Sequence, residues 1–173
     1  MAPKTKKSLS VLIICLVFLH YNSFARFNWV EIGVNGLTCS QCCRSVEMSI
    51  RKLDFVSEII MNLENTEGKI TFKEGAVVNI EKIAQAVVDA GFAVRYLKAG
   101  FLFDNKEVNT GTCFAFESKN YQFIKTVKQN LNGETTIKFI GKNFLDKKEL
   151  KNWKSEMIVV CTEPKAELLY ITL

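Results

Sequence analysis

Between Trp29 and Leu97 the spacing of apolar residues changes from two to about 3.6 and back again, twice, which limits this stretch to a small set of α+β folds. The run Trp29-Val30-Glu31-Ile32-Gly33-Val34 alternates as a strand does and ends at the turn Asn35-Gly36. Cys42, Val46, Met48, Ile50 and Leu53 then follow helical spacing, with Arg44, Glu47, Arg51 and Lys52 on other faces, so a helix begins near Cys42. Val56 to Leu63 reads as a strand, Glu64 to Gly68 as a turn, and Lys69 to Phe72 as the hairpin partner. A second helix starts at the N-cap Asn79, carries Ile80, Ile83, Ala84, Val87 and Ala90 on one face, and stops at Gly91. A final strand, Phe92 to Leu97, completes the order βαββαβ.

The connection from first strand to first helix carries the chemistry. Cys39 and Cys42 are two residues apart, a spacing that lets two thiolates converge on one ion. Thiolate selects Cu(I), Hg(II), Cd(II) or Zn(II) over hard cations. Unpaired N–H groups at the helix start favour the thiolate form of Cys42, while Cys39 on the loop can move. A mobile pair of sulfurs suits linear Cu(I), and it suits handover, because an incoming thiolate can add before one leaves. Two other readings stay open, a thiol–disulfide exchange pair and a structural disulfide. Cys43 is a third sulfur beside the pair. A helix turns about 100° per residue, so Cys43 is either a core-facing thiol or a third ligand for a softer or larger ion.

The segment Gly36-Leu37-Thr38-Cys39-Ser40-Gln41-Cys42, set between a strand and a helix, resembles the metal-binding loop of the heavy-metal-associated domain family. The later Asp89-Ala90-Gly91-Phe92 is similar to that family's loop before its last strand. The resemblance covers residues 28–98 and implies a ferredoxin-like βαββαβ fold. It also implies metal transfer through Cys39 and Cys42, as in copper chaperones, the amino-terminal modules of copper-pumping ATPases, and periplasmic mercury-binding proteins. The family usually has methionine at the position of Leu37, where leucine preserves the volume packed beneath the loop. Phe92 either shields the site or is a plain core aromatic.

Upstream, Lys4, Lys6 and Lys7 precede the apolar run Val11 to Leu19, and Ser23-Phe24-Ala25 stands before Arg26. This order reads as a secretory signal peptide, residues 1–25, cleaved after Ala25. The apolar run is shorter than the roughly 20 residues that a helix needs to span a bilayer. Cys15 has bulky Ile13-Ile14 before it, which argues against lipid attachment. Cleavage removes three of the 23 basic residues and none of the 18 acidic ones. The charge falls from +5 to about +2, which gives no argument for a nucleic-acid partner. His20 is removed as well, so the mature chain has no histidine for zinc binding or for general-base chemistry.

Residues 99–173 have a different texture, and no family is recognised in them. Phe101 to Phe103, Thr112 to Phe116, Tyr121 to Val127, Thr135 to Ile140, Met157 to Cys161 and Leu168 to Thr172 read as short strands. Asn132-Gly133 and Gly141-Lys142-Asn143 read as turns, and Asp146 caps a short helix that ends near Trp153. A small, mostly-β domain follows, a sandwich or a barrel. Cys113 and Cys161 are its disulfide candidates, the other readings being two buried thiols or a second metal site.

The sequence therefore leads to three parts: a signal peptide (1–25), a ferredoxin-like domain (26–98) and a mostly-β domain (99–173). The expected protein is secreted, periplasmic and not an enzyme. It binds Cu(I), with Hg(II), Zn(II) and Cd(II) as alternatives, and exchanges it with a metal-exporting or metal-accepting protein. It is not inserted in the membrane after cleavage. The alternative is a thiol-exchange or interaction module that keeps only the fold.

Overall fold

The computed structural model describes residues 25–161 and 167–173, so residues 1–24 of the expected signal peptide, with Cys15 and His20, lie outside the described residues. Strands β1 (Arg26–Asn35), β2 (Val56–Asn62), β3 (Glu67–Phe72) and β4 (Ala93–Val108) alternate with helices α1 (Ser40–Arg51) and α2 (Ile80–Asp89). Their order across the sheet, β2-β3-β1-β4, gives the first part of the chain its ferredoxin-like topology. The remaining strands are β5 (Cys113–Phe116), β6 (Lys119–Phe123), β7 (Gln129–Ile140) and β8 (Glu167–Thr172), with the short helix α3 (Lys147–Trp153) between β7 and β8. No helix among the described residues is long and apolar enough to cross a membrane.

Each helix forms for legible reasons. The side chain of Asn79 accepts the Lys82 N–H at 2.9 Å and caps α2, which buries Ile80, Ile83, Ala84, Ala86 and Val87. Gly91 then adopts φ +88, a left-handed conformation that ends the helix at little steric cost. Helix α1 buries Cys43, Val46 and Ile50, whereas Met48, expected on its apolar face, is 48% exposed. Positions 43, 46 and 50 share one side of the helix, and Met48 falls on another. Asp146 caps α3 by accepting the N–H groups of Lys148 and Glu149.

Strand β4 alters the domain picture. It was expected to end at Leu97, yet it continues through the 98/99 boundary to Val108. Residues Ala93–Leu102 pair with β1, and Lys98–Val108 pair with β7, so the middle of the strand is bonded on both sides. The expected sandwich or barrel is instead the second half of one eight-stranded sheet, ordered β2-β3-β1-β4-β7-β8-β6-β5. One core runs through both halves, from Val46 and Ile83 under the helices to Phe101, Tyr121, Phe139 and Ile171. The sheet curls so that aromatic rings fill its concave side. Phe27 meets Phe101 at 5.0 Å and Phe116 at 5.5 Å, and Phe114 stacks on Tyr121 at 5.0 Å between ring centres.

Two other expectations change. Asn132-Gly133 is not a turn but part of β7, where Gly133 has φ +84 opposite an irregularity between Phe103 and Lys106. Met157 to Cys161 forms no strand. The side chain of Gln122 supplies hydrogen bonds that a neighbouring strand would otherwise supply: its Nε2 donates to Ile158 O, and its Oε1 accepts from the N–H groups of Val160 and Cys161.

The curl closes at two polar contacts. Lys119 in β6 reaches Glu81 of α2 and Glu167 of β8, each at 2.6 Å. Burial alone would lower the Lys119 pKa, but the two carboxylates outweigh it and raise the value. Glu117, in the β5–β6 turn, accepts the Val78 N–H at 3.1 Å. On the convex face Trp29 lies over Gly100 and donates to Glu134 Oε1 at 2.9 Å, with Lys69 over its ring at 5.6 Å. This row of side chains braces β3, β1, β4 and β7 across the former boundary.

A β-carbon at Gly100 would sit inside the Trp29 indole. Gly100→Ala is expected to lower stability by about 1–3 kcal/mol in urea unfolding, and the loss should shrink in a Trp29→Ala background. Hydrogen bonds from Asn28 and Trp29 hold the Glu134 carboxyl below its ordinary pKa. Its contribution is therefore present above the unfolded carboxylate value of about 4.3 and is lost as pH falls through the folded value. The stability gap between the protein and Glu134→Gln, followed from pH 7 to pH 3, should close on the acid side.

Candidate metal site

The site is built where β1 stops. Gly36 takes φ +90 and turns the chain, and Leu37, 5% exposed, packs into the core beneath the loop. Cys39 is the N-cap of α1, with extended backbone angles (φ −151, ψ 160), and its Sγ accepts the Cys42 N–H at 3.2 Å. The Cys39 carbonyl accepts the Cys43 N–H, also at 3.2 Å. The cysteine expected to be a loop residue therefore serves as the helix cap. Both sulfurs lie at the positive end of the α1 dipole, which favours thiolate over thiol.

Cys39 is exposed and Cys42 half-buried, so solvent and an incoming ligand reach the pair from one side. Their Cα atoms are 5.2 Å apart and the structure joins them as a disulfide. Reduction would free both. An ion held linearly between them needs the sulfurs about 4–5 Å apart, twice a metal–thiolate bond of about 2.3 Å. Rotation of the exposed Cys39 side chain can supply that opening. The Thr38 hydroxyl lies 4.0 Å from Cys42 Sγ, a neighbour the sequence reading did not single out. The only signal for it was its place next to the first cysteine. Phe92 is half-buried, with its ring 3.7 Å from where a β-carbon on Gly36 would stand. It therefore walls the turn that leads into the loop.

Cys43 does not join the pair. It is 8% exposed and packs in the core with Val46 and Ile50, because one helical step carries it away from the direction of Cys42. Among the described residues no group of three or more histidine, cysteine or acidic side chains is placed to hold a metal ion. That geometry speaks against Cys43 as a third ligand and against a site shared with the other sulfurs. Cys113, at the start of β5, and Cys161, in the extended segment after α3, are joined as a second disulfide with Cα atoms 5.9 Å apart.

Residues 31–93 match the heavy-metal-associated domain. The mercuric transport protein periplasmic component of Pseudomonas fluorescens is 34% identical over 87 residues, covering 50% of this chain and 92% of that protein. The chain belongs to the heavy-metal-associated domain family. The copper chaperone CopZ of Bacillus subtilis (strain 168) is 36% identical over 63 residues, which are 36% of this chain and 90% of the chaperone. Copper-transporting ATPase 1 of Rhizobium meliloti (strain 1021) is 35% identical over 86 residues, but these make up 47% of this chain and only 10% of the ATPase. The family match ends at Ala93, the first residue of β4, and the sheet from there on lies outside it.

The capping role of Cys39 determines which substitution removes its sulfur cleanly. Serine is a strong N-cap and alanine is not. In the reduced protein, Cys39→Ser should leave the urea midpoint near that of the parent, and Cys39→Ala should cost about 0.5–2 kcal/mol.

Proposed function

We propose that this protein binds a soft metal ion through Cys39 and Cys42 and passes it to, or receives it from, a metal-exporting or metal-accepting protein. The observation that carries the reading is a solvent-reached pair of sulfurs at the N-terminus of α1, in a chain of the heavy-metal-associated family. Two thiolates without a third ligand suit ions that accept two-coordinate, linear geometry, which favours Cu(I) and Hg(II) over the tetrahedral preference of Zn(II). Cu(I) is the ion of choice, in keeping with the copper named for two of the relatives, and Hg(II) follows from the mercuric transport component. Zn(II) and Cd(II) are weaker alternatives. The role is buffering, delivery or detoxification rather than catalysis.

The place of action in this proposal is the periplasm. Its support is the expected signal peptide, together with the periplasmic location named for the Pseudomonas fluorescens relative. In such an oxidising compartment the Cys39–Cys42 pair must be kept reduced to take up metal. The pairing of these sulfurs in the structure favours one competing reading, in which they exchange disulfides with a partner.

A Cu(I) competition titration against a coloured chelator separates the two. The reduced protein should withdraw one equivalent of Cu(I), and Cys39→Ser/Cys42→Ser should withdraw none, while Cys43→Ala should match the parent. Binding that is weak, or unchanged in the double variant, would overturn the metal-handling reading and leave disulfide exchange as the use of the pair.

A further inference from the structure

After α3 the chain runs as an extended segment, residues 157–161, over the convex side of β6 and its neighbours without entering a ladder. Three ties hold it there. At its start the Tyr170 hydroxyl donates to Met157 O at 3.4 Å, and Met157 packs in the small cluster with Trp153 and Tyr170. In its middle the Gln122 amide donates to Ile158 O at 2.7 Å and accepts from Val160 N at 2.9 Å and Cys161 N at 3.3 Å. At its end stands the Cys113–Cys161 disulfide.

The non-covalent ties are weak for the length they hold. Gln122 sits in a strand already paired on both sides, with Cys113 of β5 and Tyr170 of β8 as its register partners, so the segment adds no ladder bond to the sheet. Ile158, Val159 and Val160 are 67%, 65% and 53% exposed, so it gains little from apolar burial. A few neutral hydrogen bonds are of the same order as the entropy lost in ordering five residues. The position of the segment therefore depends on its covalent end. Opening is not opposed by an orphaned amide either, because Gln122, 1% exposed beneath the segment, would then face water.

We propose that residues 157–161 form a strap latched by the Cys113–Cys161 disulfide, and that reduction by a dithiol lets the strap lift from β6 and uncovers Gln122. A thiolate of the dithiol attacks one sulfur of the bond, forming a mixed disulfide and releasing the other cysteine as thiolate. Its second thiol displaces the remaining cysteine, so the protein gains two electrons and two protons while the dithiol becomes a disulfide. The uncovered surface is continuous with a groove bordered by Gly111, Thr112 and Ile124. The strap is thus a redox-sensitive cover on the face of the sheet opposite α1 and α2, beside α3.

The test uses Cys39→Ser/Cys42→Ser protein, in which Cys113–Cys161 is the disulfide that responds to dithiothreitol. Amide hydrogen exchange is followed residue by residue before and after reduction. The Val160 and Cys161 amides, which Gln122 holds, should lose protection by about tenfold or more, while the ladder amides of β6 and β8 keep theirs within about twofold. Adding Cys113→Ala/Cys161→Ala should reproduce the opened pattern without reductant. Unchanged protection at Val160 and Cys161 would overturn the proposal, because the strap would then be held without its latch. Loss of protection throughout β6 and β8 would overturn it equally, since the bond would then staple the whole sheet.

Discussion

The double pairing of β4 is the constraint on which the other elements depend. From Lys98 to Leu102 this strand is bonded to β1 on one side and to β7 on the other, so neither half of the sheet can rotate against the other without breaking a ladder. Alternate residues supply the shared core: Leu97, Ala99, Phe101 and Phe103 face inward, and all are buried. Gly100 on the opposite face is the concession that makes the continuity possible, because the Trp29 ring occupies the space where its side chain would be. That ring is in turn fixed by Glu134 of β7. A glycine that looks like a strand breaker is here the seat of a cross-strand brace.

The register also explains why the sulfur pair stays open. Asn35, at the end of β1 nearest the sulfur loop, pairs with Ala93, and Arg26 at the far end pairs with Leu102. Strand β4 therefore runs away from Cys39 and Cys42, and everything built on its second half grows from the opposite end of the sheet. Eight strands share one core, yet the sulfur loop remains at the open end of the interior strand β1, beside Phe92 and the β2–β3 turn, where Thr66 O accepts the Val34 N–H at 2.9 Å. The loop keeps an approach for a partner without separation into two bodies.

The parts that were legible in the sequence are those governed by local chemistry. The Asn79 cap, the Gly91 stop, the Asp146 cap and the strand–loop–helix setting of the cysteine pair each follow from a few adjacent residues. Helical geometry separated Cys43 from the direction of Cys42 but left two readings for it, and its burial in the core with Val46 and Ile50 distinguishes them. What could not be read there depends on distant partners. The continuation of β4 past Leu97 needs a distant partner strand, and Lys98 looks like a boundary only until its pairing with Lys138 is known. Met157 to Cys161 has the composition of a strand, but a buried glutamine from β6 takes the place of a ladder. Asn132-Gly133 has the composition of a hairpin turn, and it was absorbed as an irregularity because the strands on either side of it continue in one ladder.

The attachment of residues 99–173 has one further consequence for the sulfur loop, carried by α2. At the N-terminal end of this helix Glu81 is held by Lys119, and Val78 just before it donates to Glu117. Burial raises the Glu117 pKa, and the backbone hydrogen bond opposes that rise, so the contact is a polar one made at some desolvation cost. At the C-terminal end the chain turns at Gly91 into Phe92, whose ring walls the Gly36 turn of the sulfur loop. The same ten-residue helix therefore touches the second half of the sheet at one end and borders the cysteine loop at the other. Its buried side packs against the common core, which leaves it little freedom to tilt. The added half of the sheet thus fixes one end of α2, and the other end of that helix leads into the residue that walls the sulfur loop.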